Sequence, residues 1–165
     1  MADRGVVMKM NEKDERLLNL LQKPDACVPR VTRIAHRLGM PTSTVHAKLR
    51  RYREAGLVKG YHAVIDPQKA NWDFVAFILG QVSFEDEKHV DDIGERLKRI
   101  PQLQEVYFVT GEWDYLVKVR VRNKEEYYET MKRVAKIFGI RAKGMICPRE
   151  VKSTDAIPFR PPGPG

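Results

Sequence analysis

Residues 37–53 read RLGMPTSTVHAKLRRYR, and the way this run folds decides the organisation of the first half of the chain. Gly39 suits the left-handed conformation found just past a helix end. Pro41 biases Met40 away from helical angles, so the pair imposes a turn of about three residues. Thr42 or Ser43 is then placed to cap the free N–H groups of a new helix. On a helical wheel Val45, Leu49 and Tyr52 point one way, while Ser43, Ala47 and Arg50 point the other, flanked by His46 and Arg51. The outer face is therefore polar and basic, with a small residue at its centre.

Upstream, RVTRIAHRLG (residues 30–39) sets Val31, Ile34, Ala35 and Leu38 on one helical face and stops at Gly39. Two helices joined by a tight turn make a helix-turn-helix. Further upstream, NEKDERLLNLLQ (residues 11–22) places Leu17, Leu18 and Leu21 at helical spacing behind an Asn11 cap and acidic first-turn residues. Pro24 and Pro29 bracket a turn. Downstream, Gly56 stops the basic helix, and Leu57 to Ile65 is a strand-like run expected to form a wing or connector, with Asp66-Pro67 as a hinge.

The chain carries a formal net charge of +8 over 165 residues. Nearly all of that excess lies between Arg30 and Gly60, where Arg30, Arg33, Arg37, Lys48, Arg50, Arg51, Arg53 and Lys59 face the single acid Glu54. Charge focused in this way is the footprint of a polyanion-binding face. A helix entering a major groove needs short hydroxyls near its start, a small residue that lets the axis approach, and arginines long enough to reach guanine edges or phosphates. The expected DNA-contacting set is Arg33, Arg37, Thr42, Ser43, Thr44, His46, Ala47, Arg50, Arg51 and Arg53.

Beyond Asn71 the hydrophobic period changes. WDFVAFILGQVSF (residues 72–84) is a strand apolar on both faces, with Phe74, Ala76, Ile78 and Val82 one way and Val75, Phe77 and Leu79 the other. A helix follows with Val90, Ile93, Leu97 and Ile100 in its stripe, then two strands that meet at Gly111 as a hairpin. A second helix aligns Tyr127, Met131, Val134 and Phe138, and IRAKGMICPREVKS (residues 140–153) reads as a last, weaker strand. The order β-α-β-β-α-β is the ferredoxin-like split unit. Two helices cover one face of such a sheet only, so Val75, Phe77 and Leu79 are expected on a bare face that another copy covers in a symmetric dimer. Pro148, which removes a ladder donor, is tolerable in an edge strand. The expected fold class is thus α+β, a winged-helix-like helix-turn-helix domain followed by a ferredoxin-like sandwich.

Other function classes find little support. Cys27 and Cys147 form neither a disulfide framework nor a metal spacing, and His36, His46, His62 and His89 are scattered, so no metal, no cofactor and no membrane partner are expected. No apolar run approaches the roughly 20 residues of a membrane span, and MADRGVVMKMN (residues 1–11) lacks the features of a secretory signal, which gives a cytoplasmic expectation. Glu112, Asp114 and His62 could do acid–base work, but no nucleophile–base pair or phosphate loop accompanies them, so no catalytic residues are assigned.

The runs MNEKDERLLNLLQ, IAHRLGMPTSTVHAKLRRYREAGLVKGYHAVIDPQK and VTGEWDYLVKVRV together resemble the leucine-responsive/AsnC, or feast/famine, family of bacterial and archaeal transcription regulators. The resemblance implies an N-terminal DNA-binding domain that reads double-stranded DNA and a C-terminal domain that forms homodimers and often octamers. It also implies a small effector, usually an amino acid, bordered by Thr110, Gly111, Glu112, Trp113 and Asp114. The expected boundaries are an arm at 1–10, the helix-turn-helix at 11–56, a connector and hinge at 57–71, the dimerisation and effector domain at 72–155, and a flexible tail at 156–165. Two positions depart from the family pattern: Pro41 stands where a capping serine is common, so that the cap falls to Thr42 or to none, and the last strand lacks pocket-lining threonines near Lys143 and Met145. The second departure keeps open the alternative of an effector-independent, architectural DNA-binding protein.

Overall fold

The computed structural model describes residues 27–82, 87–139 and 141–154. The expected helix at 11–22, the arm at 1–10 and the tail at 156–165 lie outside the described residues. The chain divides into two compact units, Met1–Ala70 and Asn71–Gly165.

In the first unit, α1 spans Val31–Leu38 and α2 spans Thr42–Glu54. Gly39 ends α1 in the left-handed region (φ 59°, ψ 30°). There the Gly39 N–H donates to the His36 carbonyl and the Met40 N–H to the Ala35 carbonyl at 3.0 Å, which satisfies the last carbonyls of the helix. The two helices pack against each other and bury Ala35 and Val45, with Leu49 and Tyr52 half-buried behind. Leu38 departs from the expected core face and is 61% exposed, because it sits in the final turn where the chain swings away at Gly39. Past α2, Gly56 (φ 67°) reverses the chain and Leu57 and Val58 donate back to the Tyr52 carbonyl.

The strand expected over Leu57–Ile65 does not form. Apart from the bonds of Leu57 and Val58 to the end of α2, the backbone link this segment makes among the described residues is the Cys27 N–H to the Tyr61 carbonyl at 3.4 Å, and an extended run without a ladder is not a strand. Asp66 then accepts from the Gln68 and Lys69 N–H groups and fixes the turn that closes this unit.

In the second unit, β1 (Phe74–Gln81), α3 (Glu87–Lys98), β2 (Leu103–Phe108), β3 (Tyr115–Val121), α4 (Lys124–Phe138) and β4 (Arg141–Cys147) follow in order. They build a four-stranded antiparallel sheet ordered β2-β3-β1-β4. Pro148 falls just past the end of β4, itself an edge strand. Ala76 and Ile78 of β1 and Val117, Val119 and Val121 of β3 meet Ile93 and Leu97 of α3 and Tyr127, Val134 and Phe138 of α4 in one apolar core. The side chain of Val90, expected in the α3 stripe, lies outside the described residues. Asn123 caps α4 by accepting the Glu126 N–H at 2.9 Å. Gly80 has no alternative: a Cβ there would run into the buried ring of Phe138.

The opposite face of the sheet carries Phe77 and Leu79 half-buried, with Met145 39% and Tyr107 50% exposed. Val75 differs from the expectation, since its own chain already buries it to 3% exposure. In register Val75 lies between Arg120 and Cys147, and Glu150, returning after β4, bonds Arg120 at 2.9 Å and Lys118 at 3.5 Å. Glu150 thus ties Arg120, in register with Val75, to Lys118, in register with Phe77, and Leu79 lies beyond these ion pairs.

Candidate DNA interface and hairpin-loop site

The outer face of α2 is exposed. Thr42, Ser43, His46, Ala47, Arg50, Arg51 and Arg53 are exposed, as are Arg33 and Arg37 of α1; Thr44 is half-buried. Ser43, Ala47 and Arg50 fall on the side opposite buried Val45. The one acid of the segment, Glu54, stands 3.9 Å from Arg50, with both side chains more than two-thirds exposed, and such surface pairs are worth little. The basic face therefore keeps its charge. Lys48, also exposed on α2, belongs to the same cationic surface and was not in the expected set.

The start of α2 corrects one expectation. Neither Thr42 nor Ser43 caps the helix: Pro41 occupies the cap position (φ −58°, ψ 141°), and no side chain accepts from the first turn. Thr42 and Ser43 are already inside the helix and exposed, while the first amides stay uncapped. Uncapped amides at the positive end of a helix dipole suit a phosphate.

In the second unit the five expected loop residues come together at the β2–β3 turn. Val109 N–H donates to the Asp114 carbonyl at 2.8 Å, and Asp114 N–H donates to the Gly80 carbonyl at 3.0 Å. Asp114 Oδ2 accepts the Val82 N–H at 2.9 Å. Gln81 Nε2 donates to the Glu112 carbonyl at 2.6 Å. Gly111 takes φ 125°, open to glycine alone in practice. Thr110, Gly111 and Glu112 are exposed and Trp113 is half-buried.

From β4, Arg141 lays its guanidinium 4.7 Å from the Trp113 ring centroid and brings Nη1 to 3.8 Å from Glu112 Oε1. Gln81 and Arg141 were not among the expected residues, because only the β1–β4 register, which pairs them directly, carries them to the loop. Burial, with the negative charges of Asp91 and Asp114, pushes the Tyr115 hydroxyl above the ordinary tyrosine range. The loop thus offers exposed amides, two carboxylates and a cation stacked on an aromatic ring. Among the described residues no group of His, Cys, Asp and Glu side chains could hold a metal ion, and no helix is long and apolar enough to cross a membrane.

Comparison with known proteins agrees with this geometry. Residues 75–157 match the family described as the Lrp/AsnC ligand binding domain, and residues 10–59 match winged helix-turn-helix DNA-binding domains. The chain is 31% identical over 158 residues to the HTH-type transcriptional regulator FL11 of Pyrococcus furiosus, covering 95% of this chain and 99% of that one. It is 30% identical over 118 residues to the proline dehydrogenase transcriptional activator of Rhodobacter capsulatus, covering 72% and 75%. Among solved structures, the feast or famine regulatory protein of M. tuberculosis complexed with L-methionine superposes with a TM-score of 0.67 at 27% identity, covering 77% of this chain and 85% of that one.

Proposed function

Because the chain belongs to the Lrp/AsnC family of DNA-binding transcription regulators, we propose that α2 is its sequence-reading element. Ser43, Ala47 and Arg50 face the major groove, with Thr42, Thr44, His46, Arg51 and Arg53 beside them and Arg33 and Arg37 on the flanking phosphates. In this reading residues 11–56 form the DNA-binding module, residues 57–71 connect, and residues 72–155 dimerise and take an amino-acid effector at Thr110–Asp114. The relative from M. tuberculosis binds L-methionine, which supports an amino acid as the effector class. Phe77 and Leu79, half-buried on a sheet face that no helix covers, support a homodimer closed through that face, from which an octamer can be built.

The observation that carries the reading is the α2 face itself. It is exposed, cationic and small at its centre, opposite the buried Val45. Selection of bound fragments from genomic DNA with the full-length protein, followed by anisotropy titrations at rising salt, tests it. The expected sites are near-palindromes with half-sites ~34 Å apart or a multiple of that, and affinity falls steeply with salt as counterions are released. Equal affinity for every fragment, or a flat salt response, overturns it.

A further inference from the structure

The cationic segment from Arg30 to Gly60 holds one acid, Glu54, and local stability does not favour its position. It is the last residue of α2, at the negative end of the helix dipole, where a carboxylate is repelled. Its partner Arg50 lies one turn towards the N-terminus, the weaker order for a pair four residues apart. The side chains of Arg50 and Glu54 are 77% and 69% exposed, so the pair adds little to the fold. Yet Glu54 does not sit on a neutral side of the helix. Ser43, Ala47, Arg50 and Glu54 follow at intervals of four, three and four residues, which sets all four on one stripe, opposite buried Val45. The single acid therefore lies on the face proposed to meet DNA.

The contact approaches one side of the guanidinium. Arg50 Nε stands 3.9 Å from Glu54 Oε1, which leaves the two terminal amino groups of Arg50 for a ligand. A guanine offers O6 and N7 side by side in the major groove and takes two N–H bonds from such an arginine. That base edge is uncharged, so Arg50 can serve it and Glu54 together. A phosphate is an anion: it competes with Glu54 for the same cation and is repelled by the carboxylate. Beneath a duplex, with water displaced, both effects grow. The carboxylate thus separates two ligands that a lone arginine would accept alike.

We propose that Glu54 is a positioning residue for specificity, which holds Arg50 to a guanine edge and turns it away from phosphate; this rests on the assignment of α2 as the sequence-reading helix. Glu54 then lowers affinity for random DNA and sharpens the preference at one base pair.

The test uses the full-length protein and a site obtained by genomic selection, with each base pair of one half-site substituted in turn. Arg50→Ala identifies the pair that Arg50 reads, as the position where discrimination is lost. The exposed position of Glu54 lets glutamine replace it without repacking. In Glu54→Gln the preference for guanine at that pair is expected to fall from about tenfold or more to about threefold or less. Affinity for random DNA rises about threefold or more, and preferences at the other pairs hold. In the Arg50→Ala background Glu54→Gln alters no base preference, because the residue through which it acts is gone. Discrimination that survives Glu54→Gln overturns the inference, and so does equal loss of affinity for the selected site and random DNA in that variant. Arg50→Ala separates the two layers. A variant that binds and discriminates as the wild type does removes the α2 face as the reading surface. One that loses discrimination at a single pair leaves that surface standing, whatever Glu54→Gln does.

Discussion

Asp114 Oδ2 accepts the Val82 backbone N–H at 2.9 Å, so the acid that borders the candidate effector loop also ties that loop to the end of β1. Asp114→Ala leaves the amide without its acceptor, and a lost bond to a charged group costs about 1.5–3 kcal/mol. Asp114→Asn keeps a carbonyl oxygen for the same amide and loses less. Chemical denaturation of the three proteins is expected to rank them wild type, Asn, Ala. Equal stability of wild type and Ala would leave the carboxylate with no structural role.

Gly80→Ala is expected to be costly despite its small size. The new methyl group runs into the Phe138 ring, which is itself 3% exposed and packed 5.5 Å from Tyr115 between ring centroids. Overpacking of this kind costs about 1–3 kcal/mol. Adding Phe138→Leu opens room and recovers part of the loss, so the two changes are non-additive in thermal melts. Strict additivity would place the strain elsewhere.

Arg50→Ala and Arg51→Ala separate base reading from phosphate binding. Where an arginine meets a base edge, its loss lowers affinity for the selected site by about 1–3 kcal/mol more than for random DNA. Where it meets phosphate, both affinities fall together and the salt slope drops by about one. Competition binding at two salt concentrations assigns each residue. Losses shared equally by specific and random DNA for both variants favour the architectural reading.

The parts that were legible in the sequence are those set by local signals. Gly39 and Pro41 interrupt two apolar stripes, and the Val45–Leu49–Tyr52 spacing orients α2 before any tertiary contact is known. The β-α-β-β-α-β order followed from period alone. What escaped depends on partners far along the chain. Leu57–Ile65 has strand-like composition but no ladder among the described residues, because β structure needs a partner that composition does not supply. Glu150 reaches Arg120 beside Val75, and Arg141 reaches Trp113 only through the β1–β4 register. At Pro41 two local preferences compete: the proline takes the cap position, so the hydroxyls after it enter the helix and no side chain caps it.

That distinction within β1 yields a test of the dimer. Leu79 is half-buried on the open end of the sheet face, whereas Val75 is already closed in by its own chain. Leu79→Gln is expected to weaken dimerisation at least tenfold in sedimentation while leaving the fold intact. Val75→Ala instead lowers stability, by about 1.5–3 kcal/mol for the lost methyl groups and the cavity they leave, with little change in dimer affinity at a given folded concentration. The reverse pattern would move the interface off this face.

The ion pairs of Glu150 also give the protein a specific acid response. The hydrogen bond from Arg120 chiefly, aided by the charges of Arg120 and Lys118 against the opposing effect of burial, holds the Glu150 carboxyl below its ordinary value. A depressed folded-state pKa means that the stabilisation is fully present above the unfolded-state value, about 4.3, and is lost as pH falls through the folded-state value. Glu150→Gln removes the titrating group but nearly preserves its shape. The stability gap between wild type and Glu150→Gln is therefore expected to stay constant from pH 7 to about 5 and to narrow as the pH drops further. Denaturation curves of both proteins across that range check it: a gap that is unchanged at pH 3, or that widens, would mean that Glu150 is not held by Arg120 and Lys118 in solution.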